Sequence, residues 1–154
     1  MSRQTKRCIK FGSFILLILY IAILIYVCFF SEDYGRDIIT SYYRYNLVPF
    51  KEIRRFYIYR DVVGVRAFLA NLFGNVLAFM PFGFFVPILR PKLRRIDRML
   101  VMTFLLSMMI EITQLLTRVG SFDVDDLILN TSGGILGYLL FYIINKVRSK
   151  WDGA

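Results

Sequence analysis

Twenty consecutive residues, Phe11–Phe30, carry no charge. As an α-helix such a run is about 30 Å long, the thickness of a bilayer's hydrocarbon core. A secretory signal peptide has a shorter apolar region and a small-residue cleavage site. The segment VCFFSEDYG at the end of this run offers no such site, so it reads as a retained span. Apolar runs at about 67–89, 99–117 and 127–145 repeat the pattern. In lipid, backbone polar groups must be satisfied within the chain, and for runs of this length that means helices. The sequence therefore predicts an all-α membrane protein: a bundle of four transmembrane helices in a single domain, 1–154.

Composition narrows the chemistry. The chain is 57% hydrophobic and contains no histidine, which excludes Ser-His-Asp and Cys-His devices and zinc sites with imidazole ligands. Its +9 net charge sits in segments flanking the spans. Those residues read as topology signals and contacts for membrane lipids with anionic headgroups, not as a nucleic-acid surface. Cys8 and Cys28 would lie about 30 Å apart along one helix, too far for a disulfide.

Arg3, Lys6, Arg7 and Lys10 precede the first span, five basic residues fill 90–98, and Lys146, Arg148 and Lys150 follow the last. The 118–126 loop is acidic. The positive-inside rule puts both termini in the cytoplasm. The 31–66 connection is then extracellular, with seven Lys/Arg, five Asp/Glu and Tyr34, Tyr42, Tyr43, Tyr45, Tyr57 and Tyr59. Within it, Asn46–Phe50 reads as a turn. Phe50, Ile53 and Phe56/Tyr57 recur at helical spacing among charges, the pattern of a short interfacial helix.

Each later span carries a polar stripe. In the second, Asn71, Gly74, Asn75 and Ala78 share a face, Pro81 predicts a kink and Pro87 an end. In the third, the stripe is Thr103, Ser107, Glu111, Gln114 and Arg118. In the fourth it is Asn130, Gly133 and Gly137, with a GxxxG spacing. Measured from the outer helix ends, Asn71 and Asn130 lie about 6 Å deep, Glu111 about 10 Å and Asn75 about 12 Å. Gln114, Arg118, Asp123 and Asp126 lie shallower, above them. Three helices thus bring polar groups to one level, which reads as a site opening to the extracellular side.

Glu111 carries most weight, because a carboxylate at a helix centre costs about 2.5–3.5 kcal/mol to insert. Direct pairing with Arg118 would stretch both side chains over two turns, about 10–11 Å of rise. The blander readings are specific too. Arg118 can snorkel to headgroups, Asn71, Asn75 and Gln114 can bond between helices, Asp126 can cap a helix, and the Gly133–Gly137 face can serve packing. Glu111, Asp123, Asp126 and Asn130 supply oxygens of the kind Mg²⁺ or Ca²⁺ prefers. No known metal-ligand spacing accompanies them, so no cofactor is expected. With Arg118, the same set could bind a lipid-linked polar head.

Asn46-Leu47-Val48-Pro49-Phe50, then Asn75-Val76-Leu77-Ala78-Phe79-Met80-Pro81-Phe82-Gly83, then Glu111-Ile112-Thr113-Gln114 with Arg118, and Asp123-Val124-Asp125-Asp126 with Asn130, Gly133 and Gly137 follow in order. In these features the chain resembles the VanZ-like family over about residues 45–140. The resemblance implies a multi-pass protein of a bacterial cell membrane, from a family whose named member is associated with lowered susceptibility to teicoplanin. A lipoglycopeptide of that type, or a lipid-linked envelope precursor, is the ligand class it suggests.

Two functions follow. The favoured one is an amphiphile-binding bundle with its pocket at Asn75, Glu111, Gln114, Arg118, Asp126 and Asn130. The alternative is a membrane enzyme on a lipid-linked substrate, with Glu111 or Asp126 as general base or metal ligand. Four short spans without an inverted repeat argue against a transporter.

Overall fold

A computed structural model describes residues 2–30, 43–59 and 64–152. Tyr34 and Tyr42, and with them residues 31–42 of the long connection, lie outside the described residues. The order of elements is α1 (Arg3–Phe30), β1 (Tyr45–Asn46), α2 (Lys51–Ile58), α3 (Val65–Leu89), a 3₁₀ turn (Pro91–Leu93), α4 (Ile96–Thr117), β2 (Phe122–Asp123) and α5 (Val124–Asp152). Four of these helices are long and apolar enough to cross a membrane. They overrun the expected spans at their ends, because basic residues such as Arg3, Lys6 and Arg7 are good helix formers outside the hydrocarbon as well. The short interfacial helix expected in the long connection is α2.

α5 is the hub. It packs most extensively on α3, next on α4, while α1 lies against α3. Lipid tails are as apolar as leucine, so helices associate here through close packing rather than through escape from water. Glycine makes that packing possible. A Cβ on Gly133 would overlap the Val76 carbonyl, and one on Gly137 the Met80 carbonyl. Gly83 of α3 faces the Gly134 carbonyl in the same way, and Gly134 also accommodates the Thr103 side chain of α4. The GxxxG face thus packs directly on the backbone of α3.

α3 runs unbroken through Pro81 and Pro87 and ends at Leu89, the expected end of the second span. Each missing N–H leaves a carbonyl to satisfy elsewhere. Pro91 cannot donate to the Pro87 carbonyl, and the Arg94 Nε–H does so instead at 2.9 Å. Beside the carbonyl that Pro81 leaves open, the Tyr20 hydroxyl donates to Ala78 O at 2.8 Å and ties α1 to α3. The apolar core, Phe82, Val86, Met99, Tyr138 and Phe141, fills the half of the bundle nearer the chain termini. In the other half, buried polar residues such as Glu111, Gln114, Asp125 and Asn130 lie among Leu24, Phe79, Leu127 and Leu129.

Candidate functional site: a polar cap at the loop end of the bundle

β1 and β2 are two residues each and pair in parallel, Tyr45 with Phe122 and Asn46 with Asp123. The pairing joins the 31–66 connection to the 118–126 loop, so both close the same end of the bundle. α5 begins directly after Asp123, whose carboxylate accepts the Asp125 N–H at 2.8 Å, an N-cap bond. The same oxygen, Oδ1, receives the Asn46 amide at 3.1 Å. Asn46 Oδ1 in turn accepts the Val48 N–H at 3.2 Å and shapes the turn that leads to α2. Helix capping therefore falls to Asp123 rather than to Asp126.

Asp125 is 1% exposed and faces away from its own helix. Its carboxylate accepts the backbone N–H groups of Phe50, of Glu52 at 2.8 Å and of Ile53 at 3.1 Å. These are the N–H groups of the N-cap residue and of the first turn of α2, which carries no side-chain cap of its own. Phe50 enters α2 with a left-handed φ of 62°. A carboxylate at a helix N-terminus is favoured by the dipole as well as by the hydrogen bonds. The interfacial helix is thus capped in trans by the first turn of α5.

Beneath this layer, Glu111 of α4 is buried and its Oε2 accepts the Asp123 N–H at 3.0 Å. Asn75 of α3 donates to Asp126 Oδ1 at 2.5 Å. Gln114 donates to the Cys28 carbonyl at 2.9 Å and fastens α4 to the end of α1. One turn further into the bundle, Asn130 donates to Ser107 Oγ at 2.9 Å. There Asn130 Oδ1 and Thr103 Oγ1 are buried without a hydrogen-bond partner among the described residues.

Of the eight residues singled out in the sequence, Asn75, Glu111, Asp123 and Asp126 meet at the cap. Gln114 and Asn130 brace it from the side and from below. Asn71 is half-buried one turn nearer the loops and joins no hydrogen bond of this network among the described residues. Arg118 ends α4 in a left-handed conformation (φ 59°) and lays its guanidinium 4.8 Å from the centre of the Tyr43 ring. It is exposed, and its recorded contact is with the Tyr43 ring rather than with Glu111. Asn46, Asp125 and Ser107 complete the network; the sequence marks Asp125 as part of the acidic turn and Ser107 as part of the Glu111 stripe, but singles out none of the three as a ligand-binding residue. Asn46 and Asp125 lie within the two short motifs already noted, and turn and cap positions favour Asn and Asp. Neither signal names a partner.

Burial pushes the Asp123 carboxyl above the usual carboxylate range. The Asp125 N–H and the Asn46 amide oppose the rise, while the charges of Asp125 and Glu52 add to it. Among the described residues, no three acidic or cysteine side chains converge so as to hold a metal ion. The carboxylates are directed at N–H groups instead. Beside the cap, a polar cleft of about 400 Å³ is walled by Tyr43, Arg44 and Tyr45, by Lys51, Glu52 and Arg55 of α2, and by Ser121, with Asn46 and Asp123 at its inner side. Arg55 is paired with Glu52 at 2.7 Å.

Four spans, a glycine-packed central helix and a polar cap holding an interfacial helix define a polytopic helical membrane protein. The chain belongs to the VanZ/LLP1 family, whose model matches residues 17–145. It is similar to Protein VanZ of Enterococcus faecium, with 29% identity over 133 residues, 85% of this chain and 74% of that protein. No solved structure matches.

Proposed function

We propose that this protein lowers susceptibility to lipoglycopeptide antibiotics such as teicoplanin by binding an amphiphile at the outer leaflet of a bacterial cell membrane. The ligand is the antibiotic or a lipid-linked envelope precursor. Both termini then lie in the cytoplasm, and the polar cap faces outward, as the basic segments 3–10, 90–98 and 146–150 favour. The observation that carries this reading is the cleft against α2. It offers Arg44 and Lys51 to anionic or hydrogen-bonding groups, and Tyr43 and Tyr45 to sugar or aromatic faces. Membership of the VanZ/LLP1 family supports the antibiotic connection. In this reading the eight sequence-selected residues act with the cleft: the Asn75, Glu111, Asp123 and Asp126 network sets the position of its wall.

The enzyme alternative would take its base from Glu111 or Asp126. Glu111 accepts a backbone N–H and Asp126 accepts the Asn75 amide, contacts that support a bracing role.

Susceptibility of a sensitive Gram-positive host to teicoplanin and vancomycin tests the proposal, with variants expressed at matched membrane levels. Arg44→Ala combined with Lys51→Ala should abolish protection against teicoplanin while the protein still accumulates. Full protection by that variant would remove the cleft from the mechanism. Equal protection against vancomycin would remove the acyl chain from it.

A further inference from the structure

At the opposite end of the bundle, α1 and α3 part below the Tyr20–Ala78 hydrogen bond and leave a groove of about 570 Å³. Phe14 and Leu17 of α1 and Val86 and Leu89 of α3 form its walls, and Lys10 and Arg90 stand at its mouth. By helical rise, Lys10 lies about 15 Å and Arg90 about 18 Å from the tie between the helices, so the two cations share a level. Hydrocarbon walls leading to a pair of cations match an acyl chain that ends in a phosphate.

The charges around the groove point the same way. Neither α1 nor α3 contains an acidic residue. Asp97, the only acid between residues 62 and 110, is held by Arg95 through two contacts of 3.1 and 3.0 Å. Arg94 is committed to the Pro87 carbonyl and to the Phe141 ring. Lys10 and Arg90 have no ion-pair partner among the described residues. Two uncompensated cations over an apolar groove attract a lipid anion more than a zwitterion, whose own cation they repel.

We infer that this groove is a binding site for one anionic phospholipid of the adjoining leaflet, its phosphate between Lys10 and Arg90 and an acyl chain between α1 and α3. The site is separate from the polar cap, and the inference stands whichever way the cap faces. Bound lipid fills the gap that the Tyr20–Ala78 tie leaves at this end and secures α1, the helix least engaged with the hub.

Native mass spectrometry of the full chain, released from detergent with phosphatidylglycerol or phosphatidylcholine, tests this. Wild type should retain one phosphatidylglycerol in preference to phosphatidylcholine, and glycerol 1-phosphate should fail to displace it. Lys10→Gln and Arg90→Gln should each weaken retention on the order of fivefold, and together about 30-fold. Lys6→Gln should leave retention unchanged. A photoreactive group on the phosphatidylglycerol acyl chain should label the peptides holding Phe14 or Leu89 in unmodified protein, a readout that needs no variant to fold. Equal retention of the two lipids, undiminished retention by the double variant, or labelling confined to other helices would each overturn the inference. So would a dimer that excludes lipid from the groove, since its occupant would then be a second copy.

Discussion

The Asp125 carboxylate, in the first turn of α5, accepts the Glu52 N–H, in the first turn of α2, at 2.8 Å across 73 residues of sequence. With the bonds from Phe50 and Ile53, it satisfies three donors that would otherwise face a membrane boundary. α2 has eight residues and none of them is buried, so its own packing secures it weakly.

Asp125→Ala should therefore release α2 while leaving the four-helix bundle assembled. The change strands the Phe50, Glu52 and Ile53 N–H groups at the start of α2 and removes its cap, a cost of about 3 kcal/mol. Hydrogen exchange in detergent should show lost protection at residues 51–58 and retained protection in α3 and α5. Unchanged protection in α2 would mean that Asp125 is not its anchor.

Gly137→Ala should destabilise the bundle by about 1–3 kcal/mol, because the new methyl group meets the Met80 carbonyl of α3 rather than a flexible side chain. Gly12→Ala is the control, since a Cβ at Gly12 meets nothing within 4 Å. Thermal melts in one detergent should show a clear drop for the first and a small rise or no change for the second. Equal melting of Gly137→Ala and wild type would require α3 and α5 to separate more easily than this packing allows.

The bundle and its interfacial helix were legible because uncharged length and helical spacing are local properties of the chain. The cap was only half legible. Asn75, Glu111, Asp123 and Asp126 announced themselves as polar groups within or beside apolar runs, and helix geometry placed them near one another. Asp125 is legible as part of the acidic turn but its partner is not, because a cap that acts on another helix leaves no mark in the spacing of its own. From the sequence Arg118 belongs to the Glu111 stripe, because helical spacing puts both on one face of a regular helix. The left-handed turn at Arg118 breaks that periodicity and carries the guanidinium to Tyr43. Backbone direction at a helix end decides such contacts, and hydropathy does not report it.

Glu111→Gln keeps an acceptor oxygen for the Asp123 N–H, whereas Glu111→Ala strands that donor in a buried place. The glutamine variant should melt within about 1 kcal/mol of wild type and the alanine variant about 2–3 kcal/mol below it. Thermal melts separate the two. If Glu111→Gln retains its stability but loses teicoplanin protection, the negative charge itself serves function, and the enzyme alternative regains ground. Retained protection would make Glu111 a brace.

Asp123 gives a pH dependence whose sign follows from its burial. Its folded-state pKa is raised, so its contribution to stability is fully present below the unfolded value of about 3.9 and is lost as pH rises through the folded value. Asp123→Asn keeps an acceptor for the Asp125 N–H and for the Asn46 amide but cannot ionise. The melting temperature of the variant relative to wild type should therefore climb as pH rises above about 4 and level off once Asp123 is ionised in the folded protein. A difference that stays flat, or falls, across that window would show that the Asp123 charge is stabilised where it sits. The two N–H donors and the ends of α2 and α5 would then outweigh its burial.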